Sequence, residues 1–386
     1  MLLKKKEATG GDADLDIIDE AQTDTRIARA SQWQLIKWKF LRHRMAVVAL
    51  IVLGLFYFGV IFAEFVEPFN PRLPNQGFQY LPPQKIHFID QEGKFHIRPF
   101  IYKMTTAIDP VTLRTLYTED KSERHPLRLF VRGDEYHLWG LFKGDIHLYG
   151  TKTGAKYFMF GTDMMGRDLF SLIIEGSRIS LSIGLVGIAL SFFIGILIGG
   201  ISGYYGGASD VIIQRIIEFL RSVPTLPLWM GLSAALPPTW STIQVYFGIV
   251  MILSLIGWTG LARVVRGKFM AVKQEDFVMA AELDGCSDFK IVFKYLLPSF
   301  MSYVIASLTL SIPGMILGET SLSFLGLGLQ SPAISWGVLL QQAQKLQVLA
   351  HAPWLLIPGV FVVVAILGFN FVGDGLRDAA DPYTRV

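Results

Sequence analysis

The sequence predicts an all-α polytopic membrane protein with six transmembrane helices and a small β-rich domain outside the membrane. Three observations carry this. Of 386 residues, 52% are hydrophobic and only 17% charged, more apolar surface than an ordinary soluble domain displays. The apolar residues gather into runs close to the ~20 residues with which a helix crosses a bilayer. Between the first two runs, apolar and polar residues alternate around Gly-containing turns, which is the period of strands.

The elements follow in order. Residues 1–30, with Asp12, Asp14, Asp16, Asp19 and Glu20 among small polar residues, read as a disordered tail. Trp33, Ile36 and Phe40 then share a helical face ringed by Lys37, Lys39, Arg42 and Arg44. This suits a helix lying along the inner membrane surface, or a simple basic anchor. Together 1–44 form a cytoplasmic tail and interfacial helix. The six runs are 45–66, 179–203, 217–236, 245–262, 299–317 and 354–372; Arg221, Pro224 and Pro227 interrupt the start of the third. The first is too long and too late for a cleaved signal peptide, and no small-residue cleavage site follows Phe65.

Residues 67–160 form the β-rich extracytoplasmic insertion. Lys85–Ile89 and Lys94–Arg98 flank a turn at Asp90–Gly93, and Leu127–Val131 and Glu135–Trp139 flank one at Arg132–Asp134, giving two expected hairpins. His87, His96, His125, His137 and His147 fall here. They lack the Cys partners or the ligand spacing of a metal site and are expected on the solvent face of the strands. Residues 161–386 are the core, with five helices, a cytoplasmic connection at 263–298 and a cytoplasmic C-terminal tail. The single Cys286 excludes an intrachain disulfide.

Lys and Arg in short connections set orientation. Lys4, Lys5, Lys6, Arg26, Arg29, Lys37, Lys39, Arg42 and Arg44 precede the first run, and Arg263, Arg266, Lys268, Lys273, Lys290 and Lys294 fill 263–298. By contrast 237–244 has none and 318–353 only Lys345, while Arg377 and Arg385 lie in the tail. Both termini and the 263–298 connection are therefore expected in the cytoplasm.

That connection carries the sharpest pattern. Ala280, Ala281, Glu282 and Leu283 favour a helix that Gly285 can close in left-handed backbone. Ser287 and Asp288 can cap a second, whose Phe289, Val292, Phe293 and Leu296 recur at three- and four-residue steps until Pro298. Small alanines beside a glycine leave a surface another protein can approach; the plain alternative is an ordinary loop. The pattern resembles the coupling loop of ATP-binding-cassette importer permeases: Glu-Ala-Ala, three residues, Gly, nine residues, Ile, one residue, Leu-Pro. Ala280, Ala281, Gly285, Leu297 and Pro298 fall on its positions, while Met279 stands in place of the Glu and Tyr295 in place of the Ile. The resemblance implies docking into an ATPase groove through Asp276, Ala280, Ala281, Glu282, Gly285, Leu297 and Pro298.

Further blocks narrow the resemblance to the second, or C-type, subunit of the dipeptide/oligopeptide permeases. Gly161-Thr162-Asp163, with Gly166-Arg167-Asp168, resembles that family's approach to the second span. Gly203–Gly207 with Asp210, Leu322–Gly328, Ala352–Trp354, Gly373–Ala379 and Asp381-Pro382 are similar to it in order. The blocks cover about 160–382 and 33–55, and none covers 70–158. Asp163, Arg167 and Asp168 are expected to pair within the chain and fix its return to the membrane. Ionisable residues inside spans are costly, and Glu319 and Asn370 are the candidates for a gate or cavity, with a structural role as the alternative. Glu218 and Arg221 are read as structural.

The resemblance implies the type I importer permease fold in a bacterial or archaeal plasma membrane. It also implies a second permease subunit as heterodimer partner, two ATPase subunits binding ATP and Mg, and an extracytoplasmic solute-binding protein. Membrane lipid is a partner; nucleic acid is not. The chain itself is expected to be non-catalytic and without cofactor or metal, since Gly267-Lys268 lacks the rest of a phosphate loop. Peptides are the expected cargo, and the same class also imports oligosaccharides or nickel. A secondary transporter or a membrane-anchored receptor is the distant alternative.

Overall fold

A computed structural model describes residues 31–108, 110 and 115–380. The tail of 1–30, Asp381-Pro382 and Arg385 lie outside the described residues. Helix α1 (Gln32–Arg42) is opened by a capping box: the Ser31 hydroxyl accepts from Gln34 N–H, and the Gln34 side chain accepts from Ser31 N–H. His43 then turns the chain into α2 (Arg44–Ile61), the first of five helices long and apolar enough to cross a membrane among the described residues. Ile36 and Phe40 are buried against the last helix, while Trp33 on the expected common face is exposed.

The strands β1 (His87–Ile89), β2 (Phe95–Ile108), β3 (Thr115–Leu138) and β4 (Phe142–Thr151) form an antiparallel sheet in sequence order. The first hairpin turns where expected: Asp90 Oδ1 accepts from Glu92 and Lys94 N–H at 3.0 and 2.9 Å, and Gly93 has φ +78°. The second does not. The expected turn at Arg132–Asp134 lies inside the long β3, and the chain reverses at 139–141 instead. Arg132 opposes Ile146 and Tyr136 opposes Gly144, so Gly133 sits in a bulge. A Cβ there would come within 2.6 Å of the His147 ring, so the glycine admits a packed histidine rather than a reversal.

The histidines also depart from the expected solvent face, since His125 and His147 are buried. His125 Nδ1 is 2.8 Å from Thr153 Oγ1, and the two ring nitrogens of His147 lie 2.5 and 2.9 Å from the Glu67 and Asp134 carbonyls. His87 and His96 pair with Glu119 and Asp90.

The chain enters and leaves the sheet through a narrow neck. Gln84 N–H donates to Phe158 O at 3.2 Å, Phe158 N–H donates to Gln84 Oε1 at 2.8 Å, and Leu81 and Thr162 bond reciprocally.

The core begins with α3 (Leu169–Tyr205), capped by Asp168, followed by α4 (Gly207–Ser222) and α5 (Thr225–Ala234). The expected span 217–236 is thus corrected to two shorter helices. Val223 is extended (ψ 131°) ahead of Pro224, as the ring of a proline demands of the residue before it. Helix α6 (Thr242–Val272) packs along α3. Tyr246 meets Ser182, Ser254 meets Gly187, Leu261 faces Gly195 and Ala262 faces Gly199, so the two helices run parallel. The 206–241 connection therefore returns along the whole length of the pair.

After α6 come α7 (Asp276–Leu283), a helical stretch at 288–299, α8 (Met301–Thr309), α9 (Ile312–Phe324), α10 (Trp336–Ala343) and α11 (Ile357–Ala380). At about 1.5 Å per residue, α3 is roughly 55 Å long. It separates the neck at its start from α7 beside its end. Gly375 of α11 approaches Phe40 and Ala46, which brings the two described chain ends together.

Candidate functional site

Helix α7 ends as its residues dictate. Gly285 takes φ +72°, Gly285 N–H donates to Glu282 O and Cys286 N–H donates to Ala281 O, which is a Schellman closure. Ser287 caps the next helix by accepting from Lys290 N–H, and residues 291–296 wind as a π-helix before Leu297–Ser299. Val278, Ala281, Ile291, Leu296 and Leu297 are buried with Tyr204, Val265, Phe269 and Phe300. Outward stand Met279, Ala280, Leu283, Phe289 and Phe293; Leu283 is 89% exposed, and the two phenylalanine rings stack tilted at 4.4 Å. Asp276, Glu282, Gly285 and Pro298 are exposed on the same segment, whereas Ala281 and Leu297 face its core. One short segment thus has one face rooted in the membrane helices and one apolar face with nothing packed on it in this chain.

Residues assigned no individual role in the sequence root it further. Tyr204 and Tyr205 hydroxyls donate to the Asp288 carboxylate at 3.0 and 3.3 Å, and Lys273 Nζ donates to Tyr204 O while lying 4.7 Å over its ring. Arg266 of α6 donates twice to Asp210 of α4, at 2.5 and 2.6 Å, and Asp210 also accepts from Ser202. The signal was the Gly203–Gly207 block with Asp210, whose carboxylate finds its arginine only once α6 lies alongside and whose tyrosine hydroxyls find Asp288 only once the 288–299 stretch does.

The 161–168 block forms a closed clasp at the neck. Gly161 and Gly166 take φ +77° and +73°, where a Cβ would strike the carbonyls of Leu81 and Asn75. Thr162 is fully buried, its hydroxyl donating to Phe78 O and its carbonyl accepting from Trp354 Nε1 at 3.0 Å. The Asp163 carboxylate accepts from Met165 and Arg167 N–H and pairs with the Arg167 guanidinium at 2.6 Å. Asp168 accepts from Ser171 N–H and Oγ.

Glu319 is wholly buried rather than at an open edge. It accepts from Ser323 and Ser180 at 2.9 and 3.2 Å, and Ser180 Oγ in turn accepts from Trp336 N–H, joining α9, α3 and α10. Asn370 is half-buried on α11.

Membrane-length helices and a rooted segment with an exposed apolar face define a polytopic membrane protein. The family model of binding-protein-dependent transport system inner membrane components matches residues 195–386, and that of the N-terminal TM domain of oligopeptide transport permease C matches 31–83. The chain is 40% identical over 226 residues to the dipeptide transport system permease protein DppC of Bacillus subtilis, covering 58% of this chain and 69% of that one. It is 38% identical over 239 residues to the oligopeptide transport system permease protein OppC of the same organism, covering 62% and 76%. To OppC of Haemophilus influenzae it is 42% identical over 235 residues, covering 60% and 73%. A chain of the inward-facing MetNI methionine ABC transporter superposes with TM-score 0.44 at 18% identity, covering 55% of this chain and 98% of that chain. The chain belongs to the family of binding-protein-dependent transport system inner membrane components, among its C-type dipeptide/oligopeptide permeases.

Proposed function

We propose that this chain is one of two unlike permeases in an ATP-driven importer of peptides, docked on two ATPase subunits through α7 and 288–298. The observation that carries the reading is the exposed Met279, Leu283, Phe289 and Phe293 on a segment whose opposite face is buried. An unpartnered apolar patch on a well-rooted element marks an interaction site. ATP and Mg2+ belong to the partners. Closure of the ATPases on ATP would draw the segment inward and, through Asp288–Tyr204 and Arg266–Asp210, tilt α3, α4 and α6 together. This is rigid-body gating with populations set by nucleotide. The peptide cargo rests on the named relatives.

On this reading α4 and α5 together make the sixth crossing, a reading that the parallel run of α3 and α6 supports. Lys37, Arg42, Arg263, Arg266, Lys268 and Lys273 then lie near the cytoplasmic face with both termini. The sheet lies outside, where a solute-binding protein delivers cargo. The 161–168 clasp positions the chain rather than touching solute, and Glu319 fixes helix packing rather than facing the path.

The test is purification from native membrane followed by ATPase assay in lipid, with binding protein and either a peptide pool or an oligosaccharide pool. ATPase subunits should co-purify and peptides should stimulate turnover. Leu283→Asp should release the ATPases and leave the two permeases together. Retention of the ATPases by that variant would refute the docking face, and stimulation by oligosaccharides alone would refute the cargo.

A further inference from the structure

A line of aromatic rings leaves the last turn of α2 and runs onto the sheet. Phe58 and Phe62 lie 4.9 Å apart, Phe62 and Trp139 5.8 Å, and Trp139 and Phe142 6.4 Å. The Trp139 indole N–H donates at 2.6 Å to the carbonyl of Ile61, one of those that a helix end leaves without an intrahelical partner. Trp139 and Gly140, with φ +52° and +73°, make the turn of the β3–β4 hairpin. At that turn Trp139, Leu141 and Phe142 are exposed, Leu141 at 76%, and further back along β3 Leu129 and Phe130 are exposed as well.

The neighbouring surface says what covers them. Helix α2 has 18 residues, about 27 Å, close to the thickness of a hydrocarbon core. Its Ile51, Leu55, Phe58 and Ile61 form an exposed apolar side of a membrane-length helix, which is suited to acyl chains. Ile61 therefore marks the edge of the hydrocarbon, and its bond to Trp139 holds the hairpin turn at that level. Tryptophan and phenylalanine are suited to this layer, with ring bodies in the acyl region and the indole N–H at the polar boundary. The apolar tip lies against the end of α2, beside its exposed apolar side.

We propose that the tip of the β3–β4 hairpin, 139–142, seats in the lipid interface beside α2, so that the sheet rests on the bilayer. The inference does not depend on the cargo or the ATPases, nor on which face of the membrane the sheet occupies.

Because Cys286 is the only cysteine, a Cys286→Ser background permits single nitroxide labels at Leu141→Cys, at Leu55→Cys on the lipid side of α2 and at Ile97→Cys on the exposed part of β2. The complex in nanodiscs of phosphatidylethanolamine and phosphatidylglycerol is titrated with oxygen and with a water-soluble nickel chelate. The label at 141 should follow that at 55, with oxygen favoured and chelate access several-fold below that at 97. Chelate access at 141 equal to that at 97 would place the tip in water and overturn the proposal. Low access to both agents would show a protein covering the tip and overturn it equally.

Discussion

Gly199→Ala adds a single methyl group at the tightest point of the α3–α6 pair. The new Cβ would lie 2.5 Å from Ala262 O and 2.8 Å from its Cα, where ordinary contact begins near 3.4 Å. The shortfall is about 0.9 Å, and the obstructing atoms are backbone, which no rotamer change can move. Separating the helices by that amount along a glycine-rich seam is an overpacking strain of about 1–3 kcal/mol, or roughly 5- to 150-fold in the unfolding equilibrium. Gly267→Ala on α6 is the control, because nothing lies within 4 Å of its added carbon; it should be neutral or stabilise by about 0.4–1 kcal/mol. Gly195→Ala meets only the Leu261 side chain, so Leu261→Ala should restore much of that loss, whereas Ala262→Gly should not rescue Gly199→Ala. Unfolding by graded sodium dodecyl sulfate in mixed micelles reads all five variants. If Gly199→Ala matches Gly267→Ala, or is rescued by Ala262→Gly, the close parallel packing of α3 and α6 is wrong.

Two further outcomes follow from carboxylates, one inside the bundle and one in the sheet. Glu319→Ala strips the acceptor from Ser180 and Ser323 inside the α3–α9–α10 contact, a loss of about 2–5 kcal/mol from unpaired donors and the void. Assembly and uptake should fall together in membranes, with Glu319→Gln between it and wild type; uptake lost with assembly intact would make it a gate instead. In the sheet, the Asp90 carboxyl is held below the usual carboxylate range by its bond from His96, then by Lys94 N–H. The ionised form is favoured in the folded hairpin, so its contribution is present above the unfolded value near 3.9 and is lost as pH falls through the lower folded value. Hydrogen exchange of 87–100, corrected for intrinsic rates, should rise in acid for wild type and change less for Asp90→Asn; equal acid responses would refute the linkage.

What the sequence made legible was local chemistry. The Asp90–Gly93 turn, the Gly285 closure and the Ser287 cap each depend on a few consecutive residues, and the long apolar runs declare themselves by composition. Helix ends shifted where polar residues such as Ser171 and Ser177 found partners inside the bundle, so that α3 begins ten residues before the apolar run. The third run misled because hydropathy averages across Val223–Pro224, where backbone sterics break the helix. The second hairpin misled because Gly133 read as a turn residue, while its actual use is to make room for His147 from another strand. Glu319 was visible as an ionisable residue near the end of a span. Its burial is fixed by Ser180, 139 residues earlier, a relation that no local pattern carries.

The neck at 81–84 and 158–162 bears on how such a chain can change. The sheet departs and returns at adjacent, mutually bonded residues, and the N-terminal family model ends at residue 83. A segment hung from such a neck behaves as a cassette: it can be lengthened, replaced or excised with a short linker, because rejoining neighbouring ends costs little chain entropy and rethreads no helix. Changes of length or sequence in the sheet are thereby uncoupled from the threading of the helices.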